Sequence, residues 1–139
     1  MSVEAVQTGL RPVLNSTEAQ LFVADIKASC DFYSSNLGFT VAFVYGDPPH
    51  CGQLIRDQAR LNLRVVGEPV FLGDVREREL LLSASLTVAT ANEIKELFLN
   101  YQARGVPFRQ SLQREPWGAT TFIVLDPDGN LILFAGPGD

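Results

Sequence analysis

The 139-residue sequence predicts an α+β fold in which one order of elements is stated twice. Gln20-Leu21-Phe22-Val23-Ala24-Asp25-Ile26 opens a short alternating strand, then an amphipathic helix, then further strands as far as Val66. Ser85-Leu86-Thr87-Val88-Ala89-Thr90-Ala91 opens the same order again and runs to Ala135. Leu21, Val23 and Phe32 recur as Leu86, Val88 and Leu97, each 65 residues on, at strand and helix positions. A composition that is 46% hydrophobic supplies one real core at this length but not two independent ones. The expectation is therefore a single domain, 1–139, of two modules at about 18–66 and 80–136.

The elements of the first module follow from local pattern. Residues 1–17 mix Gly9, Pro12, Asn15 and Ser16 without period and read as a leader, with a short strand near Val13-Leu14. Glu18 to Ala24 alternates, which puts Leu21 and Val23 on one face and Glu18, Gln20 and Phe22 on the other. Asp25 is placed to cap a helix from Ile26 to Asn36, whose Ala28, Phe32 and Tyr33 or Leu37 are spaced to cover a sheet. Gly38 ends it in a left-handed conformation. Strands are expected at Thr40–Tyr45, Gly52–Arg56 and Arg60–Val66, with turns at Gly46–Pro49 and Asp57-Gln58.

From Gly67 to Glu79 the pattern fails. Pro69, Gly73 and the run Asp74-Val75-Arg76-Glu77-Arg78-Glu79 read as a solvated connection. In the second module Thr90 and Glu93 form a capping box for a helix with an apolar face of Ile94, Leu97, Phe98 and Tyr101, closed by Gly105. Strands follow at Val106–Gln110, Thr120–Leu125 and Leu131–Ala135. Between them lie the loop Glu115-Pro116-Trp117-Gly118 and the hairpin turn Asp126-Pro127-Asp128-Gly129-Asn130.

Bulk chemistry narrows the function classes. A net charge of -5, from 16 acids and 11 bases with no basic stripe, argues against nucleic acid and favours cationic or neutral ligands. Two cysteines without Cys-x-x-Cys spacing signal neither a disulfide framework nor a sulfur-ligated metal. No secretory pattern and no apolar run near the ~20 residues of a membrane span are present, so a cytoplasmic protein without membrane partners is expected.

Three segments carry a family resemblance. Leu21-Phe22-Val23-Ala24-Asp25, Asp31-Phe32-Tyr33-Ser34-Ser35-Asn36-Leu37-Gly38-Phe39 and Asp126-Pro127-Asp128-Gly129-Asn130 resemble the vicinal oxygen chelate superfamily of glyoxalase I, extradiol dioxygenases, and fosfomycin and bleomycin resistance proteins. Leu37-Gly38-Phe39 followed by Phe43-Val44, Val65, and Pro116-Trp117-Gly118 followed by Phe122 are most similar to the bleomycin resistance proteins. The resemblance implies tandem βαβββ modules forming a curved mixed sheet and a homodimer with drug-sequestering grooves at its interface. A physical motive for the dimer stands beside it, because a second copy can cover the sheet faces that the helices leave open.

In metal-dependent members the ligands come from the first and last strands of each module. Those places fall here at Glu18, Asn62, Ser83 or Ser85, and Leu133, of which only Glu18 is an ordinary ligand and Leu133 cannot donate. No metal and no cofactor are expected. His50, the single histidine, follows Pro48-Pro49 in a loop out of register with those places. Ser83 and Cys51 lack an evident base, and Cys30 reads as helix packing, so no catalytic residue is assigned.

A ligand held without chemistry needs flat apolar walls and a few charge-selecting groups. The candidates are Trp117 in its loop, the strand aromatics Phe22, Phe43, Tyr45 and Phe108, His50 at the groove mouth, the loop acids Asp47 and Glu115, and the polar pair Asn62 and Arg64, which shares strand parity with Arg60. Phe122 and Phe134 suit the helix-facing core equally well. The favoured function is a non-catalytic binding protein for a bleomycin-like antibiotic or another aromatic or cationic compound. The alternatives are a metal-dependent lyase, dioxygenase or transferase with an atypical ligand set around Glu18 and Asn62, and a purely structural module.

Overall fold

The computed structural model describes residues 11–139. The first module comprises β1 (Ala19–Val23), α1 (Ile26–Ser35), β2 (Thr40–Tyr45), β3 (Cys51–Arg56) and β4 (Ala59–Val65). The second comprises β5 (Ala84–Thr87), α3 (Ala91–Ala103), β6 (Phe108–Arg114), β7 (Ala119–Leu125) and β8 (Leu131–Pro137). Each module forms one four-stranded mixed sheet, ordered β1-β4-β3-β2 and β5-β8-β7-β6. In both, the first strand pairs in parallel with the last and the remaining pairs are antiparallel. The helix between the first two strands supplies the crossover that this order requires.

The helices begin where their caps dictate. Asp25 accepts hydrogen bonds from the backbone of Lys27 and Ala28, and Thr90 and Glu93 close the reciprocal capping box. Gly38 takes φ +80°, as a helix-ending glycine should. The buried face of α1 is Ile26, Ser29 and Tyr33, with Leu37 just beyond, while Ala28 is exposed and Phe32 half-buried. The expected face was thus rotated by about one position, because Ala28 and Ser29 are both small and only packing distinguishes them.

Three other expectations are corrected. Residues 11–18 have no regular structure, so no strand forms at Val13-Leu14, and Leu14 is 97% exposed; the rest of the supposed leader lies outside the described residues. The connection contains a helical turn, α2 (Val75–Arg78). Its Arg76 donates to Asp128 O at 2.6 Å and to Asn130 Oδ1 at 3.1 Å, and lies over the Phe71 ring. Finally β6 begins at Phe108 and extends to Arg114, well past Gln110.

One hydrophobic cluster joins the modules, with Leu21, Tyr33, Leu54 and Leu63 from the first and Ile94, Tyr101, Phe122 and Phe134 from the second. Two polar contacts fix their relative position. At one end the Asp126–Asn130 turn meets β1 and α1: Tyr33 donates to Asp126 Oδ2 at 2.7 Å, Ala24 N to Asp128 Oδ1 at 2.8 Å, and Asn130 Nδ2 to Phe22 O at 3.1 Å. Asp126 is 5% exposed, and burial raises its carboxyl above the ordinary 3.8 against the opposing pull of bonds from Asn130, Tyr33 and Asp128. At the other end Arg56 donates to Leu37 O at 2.7 Å and to the Tyr101 hydroxyl at 3.0 Å. Burial pushes that hydroxyl up to about 12 despite the guanidinium. Among the described residues no helix is long and apolar enough to cross a membrane.

Candidate binding faces on the two sheets

Each sheet packs one face on its helix; the other face of the first sheet is open, whereas that of the second is largely closed, with Thr121 and Ile123 each 2% exposed. In the first, strand register aligns Phe22, Arg64, Cys51 and Tyr45 as one row across the open face, and Gln20, Asn62, Gln53 and Phe43 as the next. A register shift between Val41 and Phe43 makes this possible, because Thr40 pairs with Ile55 while Phe43 pairs with Gln53. Without the extra residue, Thr40 and Phe43 would point to opposite faces. Five of the expected ligand residues, Phe22, Phe43, Tyr45, Asn62 and Arg64, therefore share one surface. Phe43 is 50% exposed and Tyr45 65%.

The second sheet carries the corresponding rows Ser85, Leu133, Ile123, Gln110 and Thr87, Ala135, Thr121, Gln113. Shifts in β6 between Phe108 and Gln110, and again before Gln113, turn both glutamines toward this face. The same shift corrects the reading of Phe108. It pairs with Val124 on the helix side, half-buried, with ring centroids 4.9 Å from Phe98 and 5.6 Å from Phe122, so it is core packing and not a ligand wall. Phe122 and Phe134 stack at 5.1 Å in the same core.

Two polar networks stand on these faces. On the first module the Glu18 carboxylate accepts from Asn62 Nδ2 at 2.9 Å and Gln53 Nε2 at 3.3 Å, and Gln53 also donates to Asn62 Oδ1 at 3.0 Å. On the second, the Thr121 hydroxyl donates to Glu115 Oε2 at 2.6 Å, Gln110 Nε2 donates to Thr121 Oγ1 at 3.0 Å, and Gln113 Nε2 reaches Glu115 Oε2 at 3.3 Å. Gln53, Gln110, Gln113 and Thr121 were missed in the sequence, where only parity could have flagged them and bulges defeat parity in β6. Trp117 sits on the turn after Glu115, held by Glu115 N to Ala119 O and Gly118 N to Glu115 O, and is 76% exposed.

The donors around Glu18 do not fit a divalent ion. Glu18 meets two carboxamides, Leu133 occupies the fourth place, and among the described residues no three His, Cys, Asp or Glu side chains gather. Asp47 and His50 remain exposed in the β2–β3 turn, with the His50 ring edge-on to Tyr45 at 5.4 Å. Ser83 donates to Asn130 Oδ1. Cys30 and Cys51 are free and half-buried, and burial raises the Cys30 thiol. A cavity of about 1370 Å³ opens elsewhere, between the β3–β4 turn and α3, lined by Thr40, Gln58, Asn92, Glu96 and Asn100 among others. It holds none of the expected ligand residues, and the Arg56 and Tyr101 groups on its wall are already committed to each other and to Leu37 O.

The family model described as Glyoxalase/Bleomycin resistance protein/Dioxygenase superfamily matches residues 14–134. No curated protein matches. Solved structures similar to this chain include a glyoxalase/bleomycin resistance protein/dioxygenase from Alicyclobacillus acidocaldarius, 22% identical over 94% of this chain and 96% of that one, with TM-score 0.73. A lactoylglutathione lyase from Agrobacterium tumefaciens is 17% identical over 91% and 96%, with TM-score 0.68. A bleomycin resistance determinant encoded on the transposon Tn5 is 18% identical over 89% and 98%, with TM-score 0.66. Identities this low speak for the fold alone.

Proposed function

Because the chain belongs to the glyoxalase/bleomycin resistance protein/dioxygenase superfamily, we propose that it is a non-catalytic binding protein that sequesters a bleomycin-like antibiotic or another aromatic or cationic compound. The site is a groove formed where two copies pair, the open face of one module meeting that of a second copy. The observation that carries this reading is the convergence of Phe22, Phe43, Tyr45, Asn62 and Arg64 on one open face. Exposed rings backed by a rigid sheet are what a flat ligand needs, and they have no partner within the chain's own core. Trp117 and Glu115 supply the rim from the second module, and Asp47 and His50 the mouth. The reading carries with it a cytoplasmic location, in keeping with two free cysteines.

The test is titration with copper-free and copper-loaded bleomycin, following Trp117 fluorescence and checking the drug by mass spectrometry. Saturable binding of unchanged drug is the expected result, weakened by roughly 2 kcal/mol in Trp117→Ala as read by calorimetry, because that variant lacks the single tryptophan. A monomer in sedimentation at micromolar concentration sinks the paired groove. One second reading, a metal-dependent lyase, dioxygenase or transferase with an atypical ligand set, has Glu18 and Asn62 as its remaining oxygen donors, and their mutual contact already spends the carboxylate on an amide. An ion retained through exhaustive dialysis, released by Glu18→Ala, would bring it forward.

A further inference from the structure

Glu115 is a half-buried carboxylate with one oxygen occupied and the other without a partner among the described residues. Oε2 takes both donors, Thr121 at 2.6 Å and Gln113 at 3.3 Å. No Lys or Arg among the described residues pairs with it, and the neighbouring Arg114 turns away to donate to Asp139 O at 2.9 Å. Thr121 is 2% exposed and lies in the middle of its strand. Because Gln110 donates into the Thr121 oxygen at 3.0 Å, the hydroxyl proton is directed outward to the carboxylate. Gln110 donates to Thr121 and Thr121 to Glu115, a hydrogen-bonded chain running from the sheet to the rim and ending on the turn that presents the exposed Trp117 indole.

We propose that Thr121, backed by Gln110, is a positioning residue that aims the free oxygen of Glu115 beside Trp117 at a cationic group, so that this end of the groove selects alkylammonium or guanidinium compounds over anionic ones. The inference rests on the binding-protein reading above and adds the residue that sets its preference for cations. A carboxylate held by a buried hydroxyl loses little freedom on meeting a cation, and an exposed indole two residues along the same turn offers a face that attracts the same charge. The opposite wall does not compete for that role, since Arg60 and Arg64 accompany Glu18 on the first module's face.

The experiment measures fluorescence titrations of the intact protein with ethidium, a cationic aromatic dye, and with anilinonaphthalenesulfonate, an anionic one. Wild type is expected to bind ethidium about tenfold more tightly, and Glu115→Gln to erase that preference. Thr121→Val should weaken ethidium by roughly three- to tenfold with the anionic dye unchanged, and Thr121→Ser, which keeps the hydroxyl, should restore it. Thermal melts of all three variants check that they fold. Equal affinity for the two dyes, retained preference in Glu115→Gln, or equal loss of both dyes in Thr121→Val overturns the selection while leaving the binding function standing. Binding of neither dye nor bleomycin by wild type overturns both.

Discussion

On the open face of the first sheet one row runs Phe22, Arg64, Cys51, Tyr45, and the corresponding row of the second runs Thr87, Ala135, Thr121, Gln113. On the helix-facing side the contrast disappears. Leu21 beside Leu63 in one sheet answers to Leu86 beside Phe134 and Phe122 in the other. The inner rows must exclude water and pack, so apolar residues recur there whatever else changes. The outer row of the first sheet is released from that demand, whereas in the second Ile123 and Thr121 are still only 2% exposed. Aromatic rings and arginines collect on one sheet, while Leu133, Ile123 and Ala135 make an aliphatic floor beside a lone carboxylate on the other. In the groove proposed between two such faces, cations and rings would stand on one wall and an acid on the rim of the other.

The comparison can be broken first at its inner rows. Phe122→Ala should lower stability by about 3–5 kcal/mol in urea denaturation, whereas Phe43→Ala, the same ring on an open face, should cost about 1 kcal/mol or less. Similar costs at the two positions would mean that the faces are not distinguished by burial.

Next in size is the contact that holds the two faces in register. Asp126→Asn should cost about 1–3 kcal/mol, because the Tyr33, Asp128 and Asn130 donors lose their carboxylate. It should also change the pH response. Burial raises the native carboxyl above 3.8, so the native state holds this proton more tightly than the unfolded chain does. Its contribution is therefore fully present below 3.8 and is lost as pH rises through the native value. In Asp126→Asn this slope should vanish from denaturation midpoints measured across that window, and an unaltered slope would assign the titration elsewhere.

A smaller effect is expected from exchanging the floors. Leu133→Asn places an amide beside Ile123 and should destabilise by about 1–2 kcal/mol, while Asn62→Leu, which leaves Glu18 with Gln53 alone, should shift stability by less than about 1 kcal/mol. The smallest belongs to Arg64→Ala, within about 0.5 kcal/mol. A large loss there would show that the guanidinium serves the fold and not the open surface.

Alternation in β1, helical spacing in α3, the Asp25 and Thr90 caps and the Asp126–Asn130 turn are all local signals, and each is found where the residues put it. Neighbours within four positions settle them, and no distant partner is needed. The site was legible only where strand parity held: Phe22, Asn62 and Arg64 fall on one face as counted. Phe43 joins them through a bulge, and Phe108 leaves through another. One inserted residue reverses every side chain beyond it, and nothing in Thr40 to Tyr45 or Phe108 to Arg114 marks where that residue sits.

By itself, then, the sequence determined the twofold βαβββ order, the boundaries of α1 and α3 to within a residue or two and the apolar rows, because these arise from local periodicity and capping, and its motifs carried the family resemblance. Tertiary structure alone decided which aromatics stand open, that Asp126 would be buried against Tyr33, and that Thr121 would be aimed at Glu115. Those outcomes depend on pairing between strands and on residues as many as 93 positions apart, where register and burial, not composition, set the chemistry.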